Sequence, residues 1–177
     1  MAKNSVKQIE QDERKILNEL RKNANKSIND IAEKCGFSRQ KVWRVINNLE
    51  KNHTIWGYVA VVDEEKLDKK GYILLVKRSN KPISQEIKNH IISRDLTDEV
   101  DKIGITITDS YFTNGNFDWI LCFTANDMRE AKSFIEIFIK IYEEFISETY
   151  LIEKMFTAVS SEVTNPDIKK LDDFFKI

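Results

Sequence analysis

The sequence predicts an α+β protein: an N-terminal winged helix-turn-helix followed by a ferredoxin-like βαββαβ domain. Two observations predict this class. Two short helical patterns separated by a Gly-containing turn precede a β-rich stretch, and beyond Gly71 the signals run strand, helix, strand, strand, helix, strand. We therefore expect a winged helix-turn-helix at residues 1–62, a charged linker at 63–70, and a ferredoxin-like domain with a C-terminal helical extension at 71–177.

The helix-turn-helix prediction rests on caps and on apolar spacing. A first helix is predicted over about residues 11–23, a second from a cap at Ser27 to a stop at Gly36, and a third after a cap at Ser38. The third helix has an apolar stripe and an opposite polar face. The stripe consists of Val42, Val45, Ile46 and Leu49, and the polar face of Arg39, Gln40, Lys41, Arg44, Asn47 and Asn48.

After these helices, residues 55–62 are rich in β-forming residues and broken by Gly57, which predicts a wing hairpin or ribbon. The remaining elements follow from period-2 and helical patterns, with a turn signal at residues 114–116 between the two central strands. Strands are predicted at about 72–77, 103–113, 117–124 and 148–159, and helices at about 84–94, after a cap at Asp127, and within 165–177.

Composition narrows the class of protein. The chain is 41% hydrophobic and 32% charged, which is typical of a globular protein and not of a disordered one. No apolar run approaches the roughly 20 residues of a membrane span, and residues 1–7 are too polar for a signal peptide, so we expect a cytoplasmic protein. The histidines are His53 and His90, and the cysteines are Cys35 and Cys122; this spacing predicts neither a metal site nor a cofactor.

Charge is divided unevenly along the chain. Residues 1–62 contain 12 Lys and Arg against 7 Asp and Glu, a net charge of +5, whereas the remainder contains 16 against 22, a net charge of −6. A basic part joined to an acidic part is typical of a small nucleic-acid-binding domain attached to an assembly domain.

Taken together, these elements resemble the Lrp/AsnC family of transcription regulators, also called feast/famine proteins, over roughly residues 9–160. The second half is similar to the family's amino-acid-metabolism regulation domain through Gly115 and Asp118, which match the Gly-x-x-Asp turn between its two central strands. The first half matches through Asp12, Ile16, Leu17, Leu20, Asn23, Ser27, Asp30, Ile31, Gly36, Ser38, Val42, Ile46, Leu49, Ile55, Gly57 and Tyr58.

The resemblance implies a sequence-specific, DNA-binding transcription regulator that is not an enzyme. It further implies homodimers joined through the second domain, which assemble into tetramers or octamers and respond to an amino acid or a related metabolite. The chain departs from the family pattern at three places. Val45 stands where the family usually has Arg, His53 stands where it has Gly, and Tyr142 begins a run that replaces a Gly turn.

The polar face of the third helix provides the candidate DNA-binding residues. Arg and Gln can form paired hydrogen bonds with guanine and adenine edges in the major groove. The alternative is a solvated polar helix face without a partner. Trp43 is expected to cover the wing through Trp56, and contact with DNA is the alternative. The candidate DNA-binding residues are Ser38, Arg39, Gln40, Lys41, Arg44 and Asn47, with Lys41 limited to phosphate contacts.

The candidate effector site is the turn formed by Gly115, Asn116 and Asp118. The resemblance implies that the Asp118 carboxylate holds the ammonium group of an amino acid. The alternative is that Asp118 only caps its own turn, as Asp readily does.

Two other function classes stay open at this point. Siroheme decarboxylases share the architecture, but a carboxylate-rich tetrapyrrole requires converging His and Arg side chains. The second domain offers His90, Arg78, Arg94 and Arg129 without visible convergence. A ligand sensor or assembly protein whose winged helix does not bind DNA is the third possibility.

Overall fold

The computed structural model of the chain describes residues 2–176, with side chains described except at 2–5 and 98–99. The chain divides into two compact units. Unit 1 combines the residues up to Val61 with those from Ala158 onward, and unit 2 is Val62–Thr157. We had grouped residues 158–177 with the second domain, whereas the structure packs them with the helix-turn-helix.

Three helices form the centre of unit 1: α1 (Ala2–Lys22), α2 (Ile28–Cys35) and α3 (Arg39–Lys51). The predicted start of α1 near residue 11 was wrong. The added segment holds Lys, Gln and Glu, which favour a helix, but its described apolar residues, Val6 and Ile9, are exposed and form no buried stripe.

Caps fix where α2 and α3 begin. The Ser27 hydroxyl accepts a hydrogen bond from the Asp30 backbone N–H, and the Asp30 carboxylate accepts one from the Ser27 N–H. Gly36 ends α2 in a left-handed conformation with φ of 70°. Ser38 caps α3 by accepting from the backbone N–H of Lys41.

The predicted apolar stripes of these helices do form one core. Its buried members lie on all three helices, so packing of α1, α2 and α3 against one another holds the turn between α2 and α3 in place. They are Ile16, Leu20, Ile31, Ala32, Val42, Val45 and Leu49.

The predicted wing hairpin was wrong. Residues 55–62 form no strand, because no described segment pairs with them. The expectation that Trp43 and Trp56 cover this stretch was also wrong, since they are 55% and 94% exposed. Thr54 and Ile55 both donate backbone hydrogen bonds to the Leu49 carbonyl, which turns the chain sharply after α3.

Unit 2 has the predicted βαββαβ order with one added helix, α5. Its four strands form an antiparallel sheet in the order β2-β3-β1-β4. A 3-10 turn over Glu64–Leu67 precedes it. The elements are β1 (Lys70–Arg78), α4 (Gln85–Ser93), α5 (Asp95–Asp101), β2 (Thr106–Phe112), β3 (Trp119–Ala125), α6 (Met128–Ile141) and β4 (Ile146–Glu153).

The two faces of this sheet differ in what covers them. One face carries the core, where Tyr72, Leu74 and Val76 of β1 are fully buried beside the helices. Residues that are paired directly across antiparallel strands share a face, and successive residues of a strand alternate between faces. The other face, which we call the open sheet face, therefore carries Ile73, Leu75, Ile120, Cys122, Tyr150 and Ile152.

The last part of the chain is a short hairpin and a helical turn. β5 (Val159–Ser160) pairs with β6 (Val163–Thr164) through Ser161 and Glu162, which have φ of 46° and 67°. A 3-10 turn at Ile168–Lys170 leads into α7 (Leu171–Phe174). The strand predicted over 148–159 is shorter in the structure, because β4 ends at Glu153 and Val159 belongs to the separate strand β5. Within residues 2–176, no helix combines the length and apolar character needed to cross a membrane.

Candidate nucleic-acid interface

The exposed side of α3 lies directly opposite its buried stripe. Each helical residue is rotated by about 100° from the previous one, so positions 40, 44, 47 and 51 share one side, and the buried Val42, Val45 and Leu49 share the other. We call the first set the α3 face. Its members are Gln40, Arg44, Asn47 and Lys51.

Arg44 is the cation at the centre of this face. Its side chain is exposed, and among the described side chains no carboxylate forms an ion pair with it. Arg39 is also exposed, but it lies to one side of the face, in the first turn of α3. Ser38 is the N-cap residue of α3, and its hydroxyl accepts a hydrogen bond from the backbone N–H of Lys41. The face therefore presents one free guanidinium between two amide side chains.

Lys41 points elsewhere. Its Nζ donates to Oδ2 of Asp12 at 2.5 Å and lies 3.9 Å from the centre of the Phe37 ring. Asp12 is only 6% exposed and also accepts a hydrogen bond from Gln8 at 2.9 Å. The hydrogen bond from Lys41, followed by that from Gln8, lowers the pKa of Asp12 below its usual value. These contacts use the Lys41 ammonium to join α1 to α3.

The turn between β2 and β3 holds the predicted effector residues. Oδ2 of Asp118 accepts a hydrogen bond from the backbone N–H of Arg78 at 2.9 Å, and the Arg78 Nε lies 3.8 Å from Oδ1. Asp118 thus connects the turn to the end of β1. Neither interpretation of the sequence named Arg78 as its partner. Gly115 and Asn116 are exposed, and a Cβ built on Gly115 meets nothing within 4 Å.

Two of the four His and Arg side chains of unit 2 do converge. His90 and Arg94 line one cavity of about 170 Å³, which corrects our expectation that they would not meet. Their spacing of four residues around the end of α4 was a signal that sequence reasoning missed. Arg78 lies beside Asp118, and Arg129 lies in the first turn of α6.

Comparison with known proteins agrees with this architecture. Residues 13–55 match the family model described as "Winged helix-turn-helix DNA-binding". The chain is 26% identical over 138 residues to the leucine-responsive regulatory protein of Haemophilus influenzae, covering 76% of this chain and 77% of that protein.

Two solved structures share the fold. An AsnC family transcriptional regulator from Agrobacterium tumefaciens has a TM-score of 0.63 and 20% identity, covering 88% of this chain and 96% of its own. A transcriptional regulator from Neisseria meningitidis in complex with L-methionine has a TM-score of 0.63 and 13% identity, covering 84% and 91%.

The three helices of unit 1 and the sequence match over residues 13–55 define a helix-turn-helix DNA-binding domain of the winged class. In its sequence the chain is similar to a leucine-responsive regulatory protein, and in its fold to an AsnC family regulator.

Proposed function

We propose that the chain binds specific DNA sequences with the α3 face in the major groove. The observation that carries this proposal is the position of Gln40, Arg44 and Asn47 on the side of α3 that faces away from the core. The caps at both ends of α2 and the core beneath α3 hold that side rigidly, as a reading helix requires.

The chemistry of the face suggests a division of roles. Arg44 can donate two parallel hydrogen bonds to guanine, and the amides of Gln40 and Asn47 can pair with adenine. Arg39 and Lys51 flank these residues and suit the phosphates on either side. We leave Lys41 out of the interface because its ammonium is already bound to Asp12.

We further propose that two copies pair through the open sheet face. The centre of the face is apolar and is built from cross-strand rows: Ile73 lies between Cys122 and Ile152, and Leu75 between Ile120 and Tyr150. Tyr150 and Ile152 are 47% and 45% exposed in the single chain. A second copy is the matching occupant, because a two-fold axis brings the same apolar patch against itself.

Such a dimer would present two α3 faces to successive major grooves of a near-palindromic site, about 34–36 Å apart. The family resemblance suggests further assembly into tetramers or octamers. The place of action would then be the cytoplasm, together with the DNA.

Selection from random DNA fragments with the purified full-length chain tests the proposed function. We expect enrichment of a near-palindrome with half-sites about 10 base pairs apart. Affinity should fall steeply with salt, because phosphate contacts release counterions. Recovery of no preferred sequence, with the same affinity for all fragments, would rule out the reading role of α3.

We also propose that an amino acid modulates this regulator at the turn formed by Gly115, Asn116 and Asp118. The Asp118 side chain keeps 37% of its surface exposed, and Gly115 leaves open space beside it. The structural relative from Neisseria meningitidis binds L-methionine.

Asp118→Asn separates an effector role from a structural one. The Asn amide oxygen can still accept from the Arg78 N–H, so the melting temperature should change little. The negative charge is lost, so any amino acid that stabilises the wild type should stabilise the variant much less. Thermal-shift measurements with the twenty amino acids check this. The proposal fails if a hit has the same size on both proteins, or if the wild type gives none.

A further inference from the structure

Unit 2 contains a cavity between its helical layer and its sheet, separate from the turn at Asp118. It opens between α4 and α5 on one side and β2 and β3 on the other, and its volume is about 170 Å³. Polar groups converge on it from four different elements: His90, Arg94, Thr97, Ser110 and Tyr142. The mechanism of DNA binding uses none of them.

The hydrogen bonds within the cavity wall leave two polar groups able to contact a bound molecule. Trp119 Nε1 donates to Ser110 Oγ at 2.9 Å, so the Ser110 hydroxyl hydrogen remains to be donated. The Tyr142 hydroxyl and Nδ1 of His90 are 2.9 Å apart, which fixes the imidazole ring and leaves Nε2 for another contact. The wall therefore offers the Ser110 hydroxyl as a donor and His90 Nε2 as a group that donates or accepts according to the tautomer.

Arg94 adds a positive charge to this wall. It lies between α4 and α5 with φ of 65°, a conformation that favours Gly or Asn, so its side chain is placed at a conformational cost. Its guanidinium makes long contacts of 3.3 and 3.4 Å with Thr97 Oγ1. Among the side chains that the structure describes, no carboxylate pairs with it.

The rest of the lining is apolar. Ile91, Leu96, Ile107 and Leu121 surround the space, and the stacked rings of Phe112 and Trp119 lie 4.8 Å apart at one side. A water molecule occupies about 30 Å³, so the cavity has room for about five or six waters. It is smaller than the roughly 300 Å³ of a pocket for a drug-sized molecule. A tetrapyrrole does not fit in it.

We propose that this cavity binds a short-chain carboxylate, with the carboxylate at Arg94 and Ser110 and a branched aliphatic body against Trp119. A carboxylate can pair with the Arg94 guanidinium, which no described carboxylate contacts, and can accept the Ser110 hydroxyl hydrogen, while the aliphatic body replaces water on the apolar wall. The site is independent of DNA binding and of the turn at Asp118.

Titration of the full-length chain with isovalerate tests this site, by calorimetry and by the indole N–H resonances. The chain has three tryptophans, and only Trp119 lines the cavity. We expect saturable binding that moves the Trp119 resonance, which the Trp119→Phe variant identifies. Neutral isovaleramide, of the same shape, should bind at least about tenfold more weakly.

Variants locate the binding. Arg94→Gln should weaken isovalerate at least about tenfold, while Arg129→Gln, the same change elsewhere in unit 2, should leave it unchanged. If Arg94→Gln does not fold, Ser110→Ala serves as the test and should also weaken binding. Equal binding of acid and amide, a shift of the Trp43 or Trp56 resonance instead, or no saturable binding by the wild type would each overturn the proposal.

Discussion

Replacing Gln40, Arg44 and Asn47 together with alanine is expected to remove sequence preference from DNA binding. A side chain that reads a base contributes about 1–3 kcal/mol of discrimination, and a dimer uses each position twice. The selected site should therefore lose at least about a hundredfold in affinity and bind like unrelated DNA. Competition gel shifts of the selected site against a scrambled one measure the loss.

Two single variants serve as controls. Arg129→Ala removes one positive charge from unit 2 and should keep the sequence preference. Lys41→Ala should lower the melting temperature of the protein, because it leaves the buried Asp12 without its cation, and should leave the salt dependence of binding almost unaltered. A triple variant that still prefers the selected site would show that another element reads the DNA.

Ile152→Lys is expected to separate the proposed dimer. The side chain lies on the open sheet face, so a lysine there would be buried against its own copy in the dimer. The monomer should bind DNA about 10²–10⁴-fold more weakly, because it loses the gain of two linked half-sites. Sedimentation velocity and gel shifts on one preparation measure both effects.

Ile139→Lys is the matched control. Ile139 on α6 is 38% exposed, close to the 45% of Ile152, so the two changes should cost the folded chain similar amounts. Only the change on the open sheet face should alter assembly. If both variants remain dimeric, the copies pair through another surface.

The sequence predicted those elements whose residues carry a periodic signal. The apolar stripe of α3 and the caps at Ser27 and Ser38 are confirmed, because both features depend on residues only three or four positions apart. The wing prediction failed at residues 55–62 since a β-rich segment forms a strand only where a partner strand lies beside it. α5 was missed because it is short and begins after a left-handed Arg94, without a capping side chain.

The candidate sites depended on contacts between distant residues, which spacing does not reveal. Asp12 and Lys41 are 29 positions apart, and their pairing removed Lys41 from the proposed interface. The Asp118 carboxylate accepts a hydrogen bond from the backbone N–H of Arg78, which is 40 positions earlier in the sequence and lies on the neighbouring strand, outside the turn of Asp118. Arg44 was chosen by residue type alone and stays a prediction; among the described side chains, no carboxylate pairs with it.

Unit 1 is built from two separate parts of the chain, which affects the order in which it can fold during synthesis. Its last segment joins its first helix through the ion pair of Arg21 and Glu162, 141 positions apart, and all of unit 2 is translated between them. Among the described residues, the core of the three helices includes none beyond Ile55, so this core can form before the rest of the chain has been synthesised. The hairpin of β5 and β6 can dock on it only after unit 2 has emerged. Synthesis thus imposes an order on folding: the three helices of unit 1 can pack first, the four-stranded sheet second, and the hairpin of β5 and β6 can join unit 1 only after both.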